Sequence, residues 1–238
     1  EWIRQRTGIR QRRILPKGQG TSDMAVMAGR EACAAAGIKP QDLDLIVVAT
    51  TTPDRIFPST ACLLQERLDI HGCPAFDVQA VCTGFVYALG VADLFVTSGK
   101  AKHALVVGAE TLSKIIDWKD RATCVLFGDG AGAAILQNRP NSHGLLAACM
   151  GADGTKGDLL SMPGGGSRCP ATIASVQAGM HYLRMEGKET FKNAINAMNA
   201  AAQEALKRCR LKISDIKCVV PHQANRRIID AVGERLGV

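Results

Sequence analysis

The sequence predicts an α/β fold, and three observations carry that prediction. Extended apolar runs alternate with helical runs of 13 to 18 residues through the first 140 positions. Strands separated by helices of that length imply βαβ units and a parallel or mixed sheet with helices on both faces. An offset of 173 residues also lays one helix-strand stretch over another without a gap, as a duplicated α/β half would.

Each element has its own local signal. TSDMAVMAGREACAAAGI (21–38) opens on Thr, Ser and Asp as capping residues and breaks at Gly37, so it reads as a helix. LDLIVVATTT (43–52) follows as a buried strand. PSTACLLQERLDI (58–70) begins with Pro, suited to a first helical turn, and PAFDVQAV (74–81) is extended again. A helix follows Cys82 and closes near Gly99, and HALVVGAE (103–110) is the next strand. The repeat sets AGREACAAAGIKPQDLDLIVVA (28–49) on AAQEALKRCRLKISDIKCVVPH (201–222), with Lys39 on Lys212 and Asp42 on Asp215. A second half is therefore expected to begin near residue 141, after Arg139-Pro140, with IKCVV as its strand and His222 just past the strand's end.

Composition narrows the class. The 238 residues are 47% hydrophobic and 21% charged, enough apolar material for one large domain or two fused smaller ones. No stretch approaches the roughly 20 apolar residues of a membrane span, and EWIRQRTGIRQRR lacks a signal peptide's apolar core, so a cytoplasmic protein away from membranes is expected. Nine cysteines, an odd number with no CxxC pair, argue against a disulfide framework and against a zinc ribbon, and no metal is expected. The formal net charge of +7 favours anionic partners. Aromatics are 4% and do not interleave with the basic runs, so nucleic acid is not the expected partner.

Cys82 stands apart from the other eight cysteines. In DVQAVCTGFVYAL (77–89) it lies where an extended run ends and an apolar helix begins. A lone thiol at such a junction is ordinarily core packing. At a helix N-terminus, however, the positive end of the dipole and unpaired N–H groups lower a thiol's pKa, and those N–H groups can stabilise an oxyanion. The repeat brings His222 to the corresponding place in the second half, so a Cys and a His are expected to converge. Gly128-Asp-Gly-Ala-Gly-Ala133 follows an apolar strand and looks like a dinucleotide fingerprint. AAILQNRP is too short for the helix that a phosphate-binding turn must open, so another strand is expected there and nucleotide binding is discarded.

DVQAVCTGFVYAL, FGDGAGAA (127–134) and VPHQANRRII (220–229), in this order, resemble the thiolase superfamily and most closely the β-ketoacyl-acyl carrier protein synthase III family. EWIRQRTGIR and VATTTPDRIFPST (48–60) match it too, so the resemblance covers almost the whole chain. It implies thiolase-like duplicated α/β halves in a layered αβαβα arrangement, residues 1–140 carrying the nucleophile and 141–238 the histidine. It implies an acyltransferase that begins type II fatty acid biosynthesis: Cys82 takes the acyl group of a short acyl-CoA, and malonyl-acyl carrier protein is then decarboxylated and condensed with it. His222 would hydrogen-bond the malonyl thioester carbonyl. Trp2 and Arg121 match a pair that sandwiches the CoA adenine, and Arg6 and Thr7 fall near the CoA phosphates. Phe191, Ala224, Asn225 and Arg227 match positions in the substrate tunnel or at its mouth. Lys192, Gln223, Arg226 and Arg227 match or adjoin the carrier-protein docking surface. Phe57 matches a residue that reaches across a homodimer interface. Acyl-CoA is then a substrate, with no cofactor held permanently.

The sequence departs from the family at both ends. It stops sixteen residues after His222, before the family's downstream Gly-Asn-Thr-Ser stretch and Gly-rich loop. A piece of a longer product, truncated at both ends, is expected; a homologue unable to decarboxylate malonyl thioesters is the other reading. The alternatives in function are a polyketide or alkylquinolone starter condensing enzyme and, from another class, a non-catalytic acyl-CoA or carrier-protein binding module.

Overall fold

The computed structural model describes residues 1–139 and 144–238. Its elements run α1 (Trp2–Thr7), α2 (Thr21–Ala36), β1 (Leu45–Ala49), α3 (Thr60–Arg67), β2 (Ala75–Val78), α4 (Gly84–Thr97), β3 (His103–Thr111), β4 (Asp129–Gln137), β5 (Leu160–Ser161), α5 (Ile173–Gln177), β6 (Arg184–Met185), α6 (Gly187–Cys209) and α7 (Arg226–Leu236). They fall into a sheet unit, Arg13–Thr111 with Gly128–Ala148, and a helical unit, Glu1–Arg12, Leu112–Phe127 and Cys149–Val238. The boundary expected at 140/141 lies outside the described residues.

In the sheet unit the strand order is β2-β1-β3-β4. β1 runs parallel to β2, with Val47 opposite Phe76, and parallel to β3, with Val47 opposite Val106. β4 returns antiparallel to β3, with Ala134 opposite Val106. The central strand reads LIVVA without alternation because it is buried on both faces. Leu45, Val47 and Ala49 pack with Ala104 and Val106 against Ala88, Ala92 and Val96 of α4. Ile46 and Val48 pack with Leu105, Val107 and Ala109 against the α2 and α3 side, through Ala25, Cys33, Ala61 and Leu64. Cys33 is 1% exposed and behaves as a small apolar residue.

The ends of these elements follow the predicted chemistry. α2 stops where Gly37 takes φ 69°, a left-handed position that glycine occupies without strain. α3 is capped by Ser59, whose Oγ accepts from the Cys62 N–H. The Asp77 carboxylate, reaching from β2, accepts from the Thr60 and Ala61 N–H groups at 2.7 and 2.8 Å, a negative charge at the positive end of the helix. The glycine-rich run 128–134 leads into β4 instead of opening a helix, as its length required.

In the helical unit, α6 and α7 meet over Ile195, Ile228 and Val232, with Phe191, Met198 and Ala224 packed around them. α1 ends at Gly8 with φ 75°, and a Cβ there would stand 3.0 Å from the Arg226 Cβ. The RTGIR turn is thereby fitted against the start of α7.

The repeat survives in local detail and fails in one element. Lys39 N–H donates to Asp42 Oδ2 at 2.9 Å around the 3-10 turn Pro40–Asp42. Lys212 N–H donates to Asp215 Oδ2 at 2.8 Å around Ile213–Asp215, 173 positions later. The strand expected at IKCVV does not form: residues 216–222 are irregular, and Val220 is 77% exposed. An apolar run becomes a strand only where a neighbour offers a ladder, and the two sheets of the described residues contain no strand that pairs with it. His222 accordingly follows an irregular segment.

Candidate active site

Cys82 lies in the sheet unit, in the 3-10 turn Val81–Thr83 between β2 and α4. The turn stands beyond the C-terminal ends of the parallel strands, where open α/β sheets place their ligand sites. Val81 holds φ 46°, a costly conformation for a β-branched residue and one found where a site over-determines the backbone. α4 begins directly behind it because two positions are glycine. A Cβ on Gly84 would stand 3.2 Å from the Ala49 Cβ, and a Cβ on Gly108 would stand 3.2 Å from the Phe85 ring. The helix mouth therefore sits close down on β1 and β3.

The surroundings of the thiol add influences that the helix N-terminus alone does not include. Cys82 is an exposed residue, yet enough protein surrounds its sulfur that desolvation raises the thiol's pKa. The Glu110 carboxylate raises it further, and only a hydrogen bond from the thiol's own backbone N–H opposes them. The Thr83 N–H is spent on the Ala80 carbonyl and the Gly84 N–H on the Val81 carbonyl. The Cys82 N–H faces its own sulfur.

Glu110, at the end of β3, is a residue that sequence reasoning missed. It accepts from the Thr51 N–H at 2.8 Å and the Thr52 hydroxyl at 2.5 Å. Burial raises its pKa, with the Thr52 and Thr51 hydrogen bonds opposing. Thr52 Oγ1 accepts from the Thr111 N–H at 2.8 Å, and Gln79 Nε2 donates to Thr51 Oγ1 at 3.0 Å. The ends of β1, β2 and β3 are thus tied together beside the cysteine. The signal available was a carboxylate closing an apolar strand, VVGAE, opposite three consecutive threonines.

The remaining residues lie in the helical unit, except Phe57. Trp2 and Arg121 are together, the guanidinium carbon 5.5 Å from the ring centroid, so an adenine entering between them would displace the guanidinium. Arg227 covers Phe191 at the same separation, with Lys192 exposed beside it and Ala224 packed in the core below. Asn225 caps α7, its Oδ1 accepting from the Ile228 N–H at 3.0 Å. Thr7 is buried, donating to the Ile3 carbonyl and accepting from the Ile9 N–H, while Arg6 is exposed in the last turn of α1. Gln223 donates to the Pro221 carbonyl, and Arg226 pairs with Asp230 at 2.8 Å. Surrounding protein lowers the pKa of His222, favouring the neutral imidazole. Phe57, in the sheet unit, is 82% exposed with Ile56 at 86%, so it is not a core phenylalanine of this chain. Among the described residues, no helix is long and apolar enough to cross a membrane.

Two family models match: 3-oxoacyl-[acyl-carrier-protein] synthase III over residues 76–154, and its C-terminal part over residues 206–238. A β-ketoacyl-[acyl-carrier-protein] synthase III of Caldanaerobacter subterraneus is 52% identical over 236 residues, 99% of this chain and 71% of that protein. The crystal structure of 3-oxoacyl-[acyl-carrier-protein] synthase III from Aquifex aeolicus superposes with a TM-score of 0.89 at 45% identity, over all of this chain and 72% of that one. The priming β-ketosynthase of the R1128 polyketide pathway gives a TM-score of 0.90 at 38% identity, over all of this chain and 70% of that one. The fold is α/β and thiolase-like, and the chain belongs to the 3-oxoacyl-[acyl-carrier-protein] synthase III family of acyltransferase condensing enzymes.

Proposed function

We propose that this chain primes fatty acid biosynthesis by condensing a short acyl-CoA with malonyl-acyl carrier protein, with Cys82 as nucleophile and His222 as the group that acts on the malonyl thioester. The observation that carries the proposal is the placing of Cys82 on a strained turn at the mouth of α4, beyond the ends of the parallel strands. In the first half-reaction the sulfur bonds to the acyl carbonyl carbon, the thioester bond to CoA breaks, and the proton of Cys82 leaves with the CoA thiol. The Cys82 N–H donates to the oxyanion of the tetrahedral intermediate. In the second, the malonyl C–C bond breaks and carbon dioxide departs. The carbanion attacks the acyl-cysteine, and the thiolate expelled takes up a proton. A neutral His222 donating to the malonyl thioester oxygen favours the enolate-like transition state over the ground state, and desolvation by the surrounding protein shifts that imidazole toward the neutral form.

The helical unit holds the substrates' handles. Trp2 and Arg121 take the adenine, and Arg6 reaches the CoA phosphates. Thr7 serves by shaping the RTGIR turn. Phe191, Ala224, Asn225 and Arg227 line the pantetheine path, and with Oδ1 of Asn225 committed to its cap the pantetheine contact comes from Nδ2. Lys192, Gln223, Arg226 and Arg227 meet the acidic carrier protein, which gives the basic surface a partner. Exposed Phe57 and Ile56 fit a homodimer interface, and the setting is cytoplasmic.

The test is the intact mass after incubation with acetyl-CoA, with Cys82→Ala alongside. An acetyl adduct on the wild type that the variant lacks supports the reading; no adduct on either makes the chain a binding module. A polyketide-priming enzyme shares the acylation step, and the chain length of the condensed product separates it.

A further inference from the structure

One charged group beside the nucleophile has no part in the reaction described above. Residues 104, 106, 108 and 110 alternate onto one face of β3, and Ala104 and Val106 on that face pack against α4. Gly108, next along it, lies under Phe85 of α4. Glu110 is the following residue on the same face, where β3 passes beneath the mouth of α4, two residues after Cys82. We propose that Glu110 is a positioning residue for Cys82: its carboxylate pins the Thr50–Thr52 turn to the end of β3 and presents a negative charge to the turn that carries the thiol.

The other ionisable groups on the packed elements are engaged elsewhere or remote. β1 has none. Asp77 of β2 is committed to the N-terminus of α3. Asp129 of β4 accepts from the Leu15 N–H, and Asp54, beyond the threonine turn, accepts from the Ser22 N–H. On α4, Tyr87 follows in the first turn and Asp93 two turns further on. Glu110 is the charge that acts on the Cys82 thiol. With the carboxylate ionised the thiolate of Cys82 is disfavoured, which slows alkylation and oxidation of the resting nucleophile. Attack then draws its driving force from the bound thioester, whose developing negative charge is carried by the oxygen facing the Cys82 N–H.

The inference rests on Cys82 being the nucleophile, and two variants of the full chain test it. Glu110→Gln keeps the shape and removes the charge, whereas Glu110→Asp keeps the charge and shortens the tie. Alkylation of Cys82 by iodoacetamide is followed from pH 5.5 to 10 by peptide mass spectrometry, which separates it from the other cysteines. The midpoint for Glu110→Gln is expected to fall by about one pH unit, a roughly tenfold gain in thiolate at neutral pH, and that for Glu110→Asp to stay within about 0.3 units. A purely structural role would not move the Gln midpoint, and an unmoved midpoint overturns the proposal. If Glu110→Gln does not fold, the wild-type profile decides. A coupled carboxylate puts an inflection in log rate against pH where Glu110 titrates, and a single-ionisation curve overturns the proposal. Acetylation of wild-type Cys82 is measured separately, so failure of the nucleophile reading is distinguishable from failure of the Glu110 assignment.

Discussion

Gly84 is the residue on which the seat of α4 depends, and its replacement by alanine sets two effects of opposite sign against each other. As the first residue of a helix, Gly84→Ala gains from reduced freedom of the unfolded chain, about 0.5–1 kcal/mol at most. The added Cβ would stand 3.2 Å from the Ala49 Cβ and 4.0 Å from the Ala49 Cα. Ala49 is 4% exposed in a strand paired on both sides, so α4 must rise by a few tenths of an ångström. Overpacking of that kind costs about 1–3 kcal/mol, so the clash wins by about 1 kcal/mol. Gly187 is the matched control: it too is the first residue of a helix, and its added Cβ meets only the flexible Met185 Cε at 3.8 Å.

Thermal unfolding by circular dichroism reads the difference. Gly84→Ala is expected to melt about 2–4 °C below the parent, and Gly187→Ala at or slightly above it. Because Cys82 lies on the turn that leads directly into the lifted helix, acetylation from acetyl-CoA should slow for Gly84→Ala and stay unchanged for Gly187→Ala. A Gly84→Ala protein that melts higher and acylates at the parental rate would refute the claim that contact with Ala49 sets the position of Cys82.

Two further outcomes follow from the helical unit. Trp2→Ala removes the ring on which Arg121 rests and the platform assigned to the adenine; KM for acetyl-CoA should rise about tenfold, a loss of the size of one exposed stacking contact, with KM for malonyl-acyl carrier protein unchanged in the same steady-state assay. His222 has a folded pKa below its unfolded value, so the unfolded chain binds the proton first as pH falls. Stability is therefore unaffected above about pH 6.5 and declines below it until the folded imidazole protonates. Melting curves at pH 7.5 and 5.5 should show a smaller acid loss for His222→Asn than for the parent.

The parts of the fold that were legible share one property: their residues state their own environment. LIVVA is apolar at every position because β1 has neighbours on both sides and helices on both faces, and Gly37 marks a helix end that its left-handed φ requires. IKCVV carries the same pattern and is irregular, because a strand also needs a ladder and apolar side chains cannot specify where one will be. The candidate site divides along the same line. The junction at Cys82 was legible because a strand, a cysteine and a glycine-led helix are consecutive. The strained φ of Val81 was not, since the residue there is not the glycine that ordinarily announces such a conformation. Glu110 was marked only by its place at the end of an apolar strand: its meaning comes from Thr51, 59 positions away, and from a thiol two strands across the sheet order. Local sequence marked Cys82 as the candidate nucleophile, but its electrostatic surroundings are assembled by register. A helix N-terminus favours the thiolate, while burial and the Glu110 carboxylate act against it, so the reactivity of Cys82 is set by both and the sequence marks only the first.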